Sequence, residues 1–381
     1  MLIKTIPTKV VAIVCRTYHL ICISSLALLV SYSVSAADQH SSLQLRPIAP
    51  ITEARAAHQA TLLSNGDVLI SGGCSNRCDA PATTMALYQH TLQRFITLST
   101  PAMPRDSHIA QLLADDTVLI AGGWSNGQIT AQAEHYQATH GVSPIANMLQ
   151  PRAAATAAKL QDGRILLSGG QTVGFQPLAS AEWYDPASAG FISAGAMQTP
   201  RLGHTATTLQ DGRVLITGGR PGRRDMALNT AELFNPHSNS FSPTGNMTTA
   251  RQKHAAVLLP DGRVLLLGGS DGNDNNRHNS TEWFDPKTNV FTAGPTMQQR
   301  RFKIPDAVVV MPDGGVLVAG GAKYIEYLNP QSGLFEQLSP ALDLAPEFAT
   351  ATLLADGTVL LLGGYDTQIN TSARAWLISQ P

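Results

Sequence analysis

The chain has 381 residues, 26 Lys plus Arg against 27 Asp plus Glu, 43% apolar residues and only 14% charged ones. Near-neutral charge excludes a nucleic-acid binder held by phosphate contacts, which needs a basic excess to displace counterions, and the apolar content excludes a disordered chain. Its 32 Gly and 23 Pro point to many turns and short strands rather than long helices.

In chain order, Lys4, Lys9 and Arg16 precede an apolar stretch from about Leu20 to Val34, and Val34-Ser35-Ala36 offers the small residues of a signal-peptidase site. Residues 1–36 read as a cleaved export signal, which makes the mature protein secreted or periplasmic with a net charge of about −4. An uncleaved anchor is the rival, but the apolar run is shorter than the roughly 20 residues a span prefers, so the mature chain is expected to carry no membrane span. Cys15 and Cys22 leave with the signal. Cys74 and Cys78, four apart, are expected to form a disulfide in an oxidising compartment. A zinc site would need four ligands, and no second Cys pair supplies them, so no metal is expected.

Gly-Gly pairs recur at Gly72-Gly73, Gly122-Gly123, Gly169-Gly170, Gly218-Gly219, Gly268-Gly269, Gly320-Gly321 and Gly363-Gly364. Seven copies about 49 residues apart mark a repeat architecture that fills residues 37–381 as a single domain. Each unit shows four strand signals. In the most regular copy an Ala/Thr-rich run from His204 to Leu209 turns at Asp211-Gly212 into Val214-Leu215-Ile216, and Ala231 to Pro236 and Phe241 follow. The Asp-Gly and Asn-Gly dipeptides tolerate the positive φ of a two-residue hairpin. Small side chains suit an innermost strand where wedges converge, and continuous apolar runs such as Val264 to Leu267 suit a strand covered on both faces. The fold class is all-β: a ring of seven four-stranded antiparallel blades, which removes the sticky outer faces of an open row. The seventh unit stops after three strand signals at Trp376-Leu377-Ile378, so Leu43 to Ile48 is expected to complete the last blade.

The Gly-Gly strand end, an aromatic such as Tyr184 or Phe284 near an Asp-Pro or Asn-Pro turn, and a later Phe or Trp resemble the kelch repeat. The Asp-Gly-Arg-Val-Leu lead-in at Asp211 and Asp261 is similar to the variant in the galactose oxidase propeller. The resemblance covers about residues 43–378 and implies a kelch β-propeller, a fold that hosts many unrelated activities.

Positions repeated in most units read as framework. These are Arg55, Arg105, Arg152, Arg201 and Arg251; His58, His108, His204 and His254 three residues later; and Glu134, Glu182, Glu232, Glu282 and Glu326, expected to pair with a repeated Arg or with backbone N–H groups. Equivalent positions on different blades cannot converge on one ion. In the sixth unit, counting back from its Asp-Gly turn puts Asp306 in the histidine position.

Departures from the repeat read as site. The residues after Gly-Gly open the variable loops on one rim, with Trp124, Arg220 and Tyr365 among them; the fourth loop adds Arg223 and Arg224, and the fifth adds Asp271, Asp274, Arg277 and His278. Arg301 and Lys303 at the preceding blade junction and Tyr324 after a short sixth loop complete the candidate ligand-binding set. Guanidinium groups with aromatics suit a carboxylated or hydroxyl-rich ligand, although a solvated loop surface explains the same residues. The expected function is a monomeric, cofactor-free recognition module binding a glycan or protein partner, with no catalytic residue assigned. Two enzymatic alternatives follow from resemblance. Galactose oxidase chemistry implies copper held by two Tyr and two His with a Tyr–Cys cross-link; a sialic acid mutarotase would enlist Arg220, Arg224, Glu347 or His278 as carboxylate binder, acid and base.

Overall fold

A computed structural model describes residues 44–98, 103–272 and 274–379. The proposed export signal lies outside these residues, as does Leu43 of the closing strand. Among the described residues no helix is long and apolar enough to cross a membrane.

Seven four-stranded antiparallel sheets succeed one another along the chain. In blade 4, Leu202–Thr208, Val214–Arg220, Ala231–Asn235 and Ser240–Pro243 pair in sequence order. Gly212 sits at φ 85° in the first turn, a conformation that L side chains adopt at a penalty. The second strand of each blade is buried along its length, as in Val68–Ser71, Val264–Leu267 and Val359–Leu362. Its side chains pack on both faces into separate apolar seams, one per blade junction. Leu265 and Leu267 meet Val316 and Val318 in the seam of blades 5 and 6, for example.

The ends of the chain close the ring. Gln44–Ile48 pairs antiparallel with Ala375–Ser379, from Gln44 opposite Ser379 to Ile48 opposite Ala375, and supplies the outer strand of blade 7. Val68 and Ile70 of blade 1 share a seam with Leu360 and Leu362 of blade 7. The second glycine of each Gly-Gly pair donates its N–H to a carbonyl of the next blade: Gly73 to Arg105, Gly219 to Arg251, and across the closure Gly364 to Arg55, each at 2.9 Å. A Cβ at Gly218 would stand 2.3 Å from the Arg251 carbonyl, so the pair is small because two backbones meet there.

The repeated polar residues are framework. Nη1 of Arg105 and of Arg201 donates at 2.8 Å to the carbonyl of the first glycine in its own blade, and the same guanidinium pairs with Glu134 or Glu232. The carboxylate turns back to backbone N–H groups at the preceding junction, as Glu282 does to Thr248 and Thr249. Where the partner is lost the pattern compensates. Ala86 stands at the Glu position of blade 1, and Glu53 reaches Arg55 instead; blade 7 has Trp376 there and no framework arginine. The histidines clamp neighbouring blades through Nε2: His58 to Thr350 at 2.8 Å, His108 to Ser71 at 2.9 Å, His254 to Thr217 at 2.9 Å.

Two expectations are corrected here. Arg301 is not on the rim: it is the sixth framework arginine, fully buried, with Nη1 on the Gly320 carbonyl at 2.6 Å and an ion pair to Glu326 at 2.8 Å. Nor does Asp306 take the histidine slot. Ile304 does, its Cδ1 facing Gly268 where His254 Cε1 faces Gly218. Relative to blade 5, the stretch between Arg301 and the Asp-Gly turn carries two extra residues, and they carry Asp306 inward. Its carboxylate meets the side chain of Gln59 from blade 1, two blades away in the ring, which places both in the axial channel. Crowding by the surrounding inner strands outweighs that hydrogen bond and raises its pKa to about 6, although the side chain keeps access to solvent along the channel.

Candidate functional site

Two residues after each framework arginine, or at the matching place in blade 7, the backbone enters the left-handed region, with φ between 50° and 69°. These seven residues form a collar around the axis on the rim where the Gly-Gly loops open. The Lys253 N–H donates to Gly203, Lys303 to Lys253, and Phe348 to Lys303, each at 2.8 Å, and Ala57 donates to Phe348 at 3.1 Å. Blade-to-blade bonds of this kind hold a conformation that costs a non-glycine residue roughly 1–2 kcal/mol.

The collar is lopsided. Blades 1 to 4 contribute Ala57, Ser107, Ala154 and Gly203, whereas blades 5 to 7 contribute Lys253, Lys303 and Phe348. Lys303 Nζ lies 2.9 Å from Glu347 Oε2 and over the rings of Phe302, Phe348 and Tyr365, with centroids at 4.5, 5.8 and 5.1 Å. Burial works against its ammonium, but Tyr365 and Glu347 together outweigh it and raise its pKa. Burial raises that of Tyr365. Lys253 pairs with Asp274. Its pKa is lowered, first by burial and further by the neighbouring charges of Lys303 and Arg220, against the pull of Asp274. Two ammonium groups thus sit within electrostatic reach of each other at the mouth of the axis.

Acceptors without hydrogens surround them. Glu347 is 2% exposed; Arg277 Nη2 lies 2.9 Å from its Oε1 outside hydrogen-bonding alignment, so that oxygen is held by charge alone. Gln252 is fully buried with Nε2 donating to Asp271 and Asp274, while its Oε1 has no donor among the described residues and faces the open side of Gly203. A buried acceptor left unpaired costs about 1–3 kcal/mol, and both oxygens lie beneath the surface of the mouth.

The other candidates fall around this centre. Arg277 also stacks on Phe302, 4.2 Å from its centroid, and His278 Nε2 donates to the Ala250 carbonyl at 3.2 Å. Arg220 Nη1 bridges the Arg223 and Gly272 carbonyls. Arg223 and Arg224 are exposed on the fourth loop, Trp124 lies on the second, and Tyr324 is exposed with its carbonyl on Arg301. Cys74 and Cys78 are bonded to each other.

Two hollows lie elsewhere. A cleft of about 380 Å³ beside Gln210, Asp261 and Arg263 is on the opposite, Asp-Gly-turn rim, with a single ion pair of Arg263 and Asp261. A second of about 360 Å³ is lined by the framework pair Arg152 and Glu182. Neither gathers cations and aromatic rings from several blades, as the collar does, so the collar is the better site.

Residues 253–298 match the Kelch motif, and the fold is a seven-bladed kelch-type propeller. A solved structure described as a novel fungal alcohol oxidase with catalytic diversity among the AA5 family, in complex with copper, matches 90% of this chain and 77% of its own at a TM-score of 0.72 and 18% identity. That likeness is one of fold. No curated protein matches the sequence. The copper centre that a galactose oxidase resemblance implies does not fit this mouth. Tyr365 is flanked by Lys303 rather than by imidazoles, the two described cysteines are joined to each other, and among the described residues no three His, Cys, Asp or Glu side chains converge.

Proposed function

We propose that this propeller is an exported recognition module that binds a carboxylated glycan at the loop-side mouth of its axis. The observation that carries it is the convergence of the Lys253 and Lys303 ammonium groups and the rings of Phe302, Phe348 and Tyr365 on one side of the collar. A sugar carboxylate is drawn to the ammonium pair in competition with Asp274 and Glu347, and the rings offer faces to the sugar. The Cys74–Cys78 bond supports export, because such bonds persist in oxidising compartments. The test is a glycan array probed with the full chain and with Lys253→Ala and Lys303→Ala. Carboxylated glycans should be retained over neutral ones, and each variant should weaken retention about tenfold. Equal retention of neutral glycans, or none of either kind, would sink the proposal.

A second reading is favoured by one observation: Glu347 sits buried between Arg277 and Lys303 beside Tyr365, the acid–base and anion-binding neighbourhood that a proton-transfer enzyme for an acidic sugar requires. Anomer exchange of the bound sugar, followed by NMR and lost in Glu347→Gln, would establish it.

A further inference from the structure

The collar site continues outward along the rim. Arg220, at the end of the second strand of blade 4, sits within electrostatic reach of Asp274 and, through its Nη1, ties the Arg223 carbonyl at 2.7 Å to the Gly272 carbonyl of the next loop. The Arg223 guanidinium lies 4.9 Å from the ring centre of Phe175 on blade 3, and Phe175 stands 5.2 Å from Trp124 on blade 2. Phe175 is 45% exposed and holds φ at 61°, a conformation disfavoured for a bulky residue, at the end of a loop that also exposes Val173. A run of cations, Lys303, Lys253, Arg220 and Arg223, thus leads to the aromatic pair Phe175 and Trp124, across five neighbouring blades.

We infer that the ligand is a chain, an acidic oligosaccharide whose carboxylated end residue occupies the collar and whose following sugars lie over Arg220, Phe175 and Trp124. The inference rests on the collar site proposed above and extends it to ligand length. Continuity of the strip with that site argues for one extended occupant. The electron-rich ring faces attract the polarised C–H bonds of a sugar ring. An acidic peptide would bring carboxylates but no ring face for Phe175 and Trp124, whereas each acidic sugar brings a carboxylate and a face of polarised C–H bonds together.

Calorimetric titration of the full chain with oligogalacturonates of two and six residues, and with hexaglutamate, tests it. The hexasaccharide should bind at least about tenfold tighter than the disaccharide. The exposed-residue variants Phe175→Ala and Phe175→Leu, with or without Trp124→Ala, should bring it down to disaccharide affinity, leave the disaccharide unchanged, and keep the wild-type melting temperature. Equal affinity for both lengths would overturn the extended site while leaving the collar site standing. Binding of neither, or binding of both that Lys253→Ala does not weaken, would remove the collar site itself. Hexaglutamate binding as tightly as the hexasaccharide and losing affinity in the Phe175 variants would overturn the sugar assignment in favour of an acidic polypeptide.

Discussion

His58, His108, His204 and His254 are neutral clamps between blades, and burial, aided by nearby arginines, pushes the first three down to about 3 and the fourth well below its ordinary value. An unfolded histidine takes up a proton near 6.5. The folded state therefore binds fewer protons across that interval, and the histidine contribution is complete above about pH 6.5 and lost as pH falls toward 3. Asp306 opposes one of the four, since its raised pKa makes the folded state bind more protons between about 6 and the ordinary carboxylate range. The urea midpoint is expected to fall steadily from pH 7 to pH 4.5, where ordinary carboxylates contribute little. His204→Ile, which leaves Thr156 and Ser168 bonded to each other at 3.0 Å, should flatten that slope by about one proton. A midpoint independent of pH over this range would show that the histidines titrate normally in the folded protein.

At the scale of the element, the closing strand was legible because the seventh unit lacked a fourth strand signal and Gln44–Ile48 lay unclaimed at the other end of the chain. A chain shortened to begin after Ile48 should expose the edge of Ala375–Ser379, melt about 10 °C lower or more, and associate in size-exclusion chromatography. A monomer melting as the parent does would mean that the ring closes without this strand. The sixth inner strand departs from the repeat for a physical reason. Counting back from the Asp-Gly turn assumes constant length, and the two extra residues in blade 6 shifted the histidine slot onto Asp306 when the packed residue is Ile304. Counting forward from Arg301 would have found both the slot and the arginine's framework role.

On the scale of the whole molecule, seven in-phase Gly-Gly pairs made the ring legible, because each marks a junction where the next blade's backbone approaches. The site was legible only in part. Charged and aromatic loop residues such as Lys303, Arg277 and Tyr365 stood out as departures, but Lys253, Gln252 and Phe348 did not, since they flank repeated positions and become a site only when the ring brings blades 5, 6 and 7 to one axis. The signal that would have found them is the collar position itself, small in blades 1 to 4 and large thereafter. One-sided collar and smooth frame together make the central claim, that ligand enters at the loop-side mouth over blades 5 to 7. Hydrogen-exchange mass spectrometry of the full chain with and without a saturating acidic oligosaccharide addresses it most directly. Protection is expected in the loops following Ser270 and Tyr365 and around Lys303; protection confined to the Asp-Gly-turn rim around Asp211 and Asp261 would contradict it.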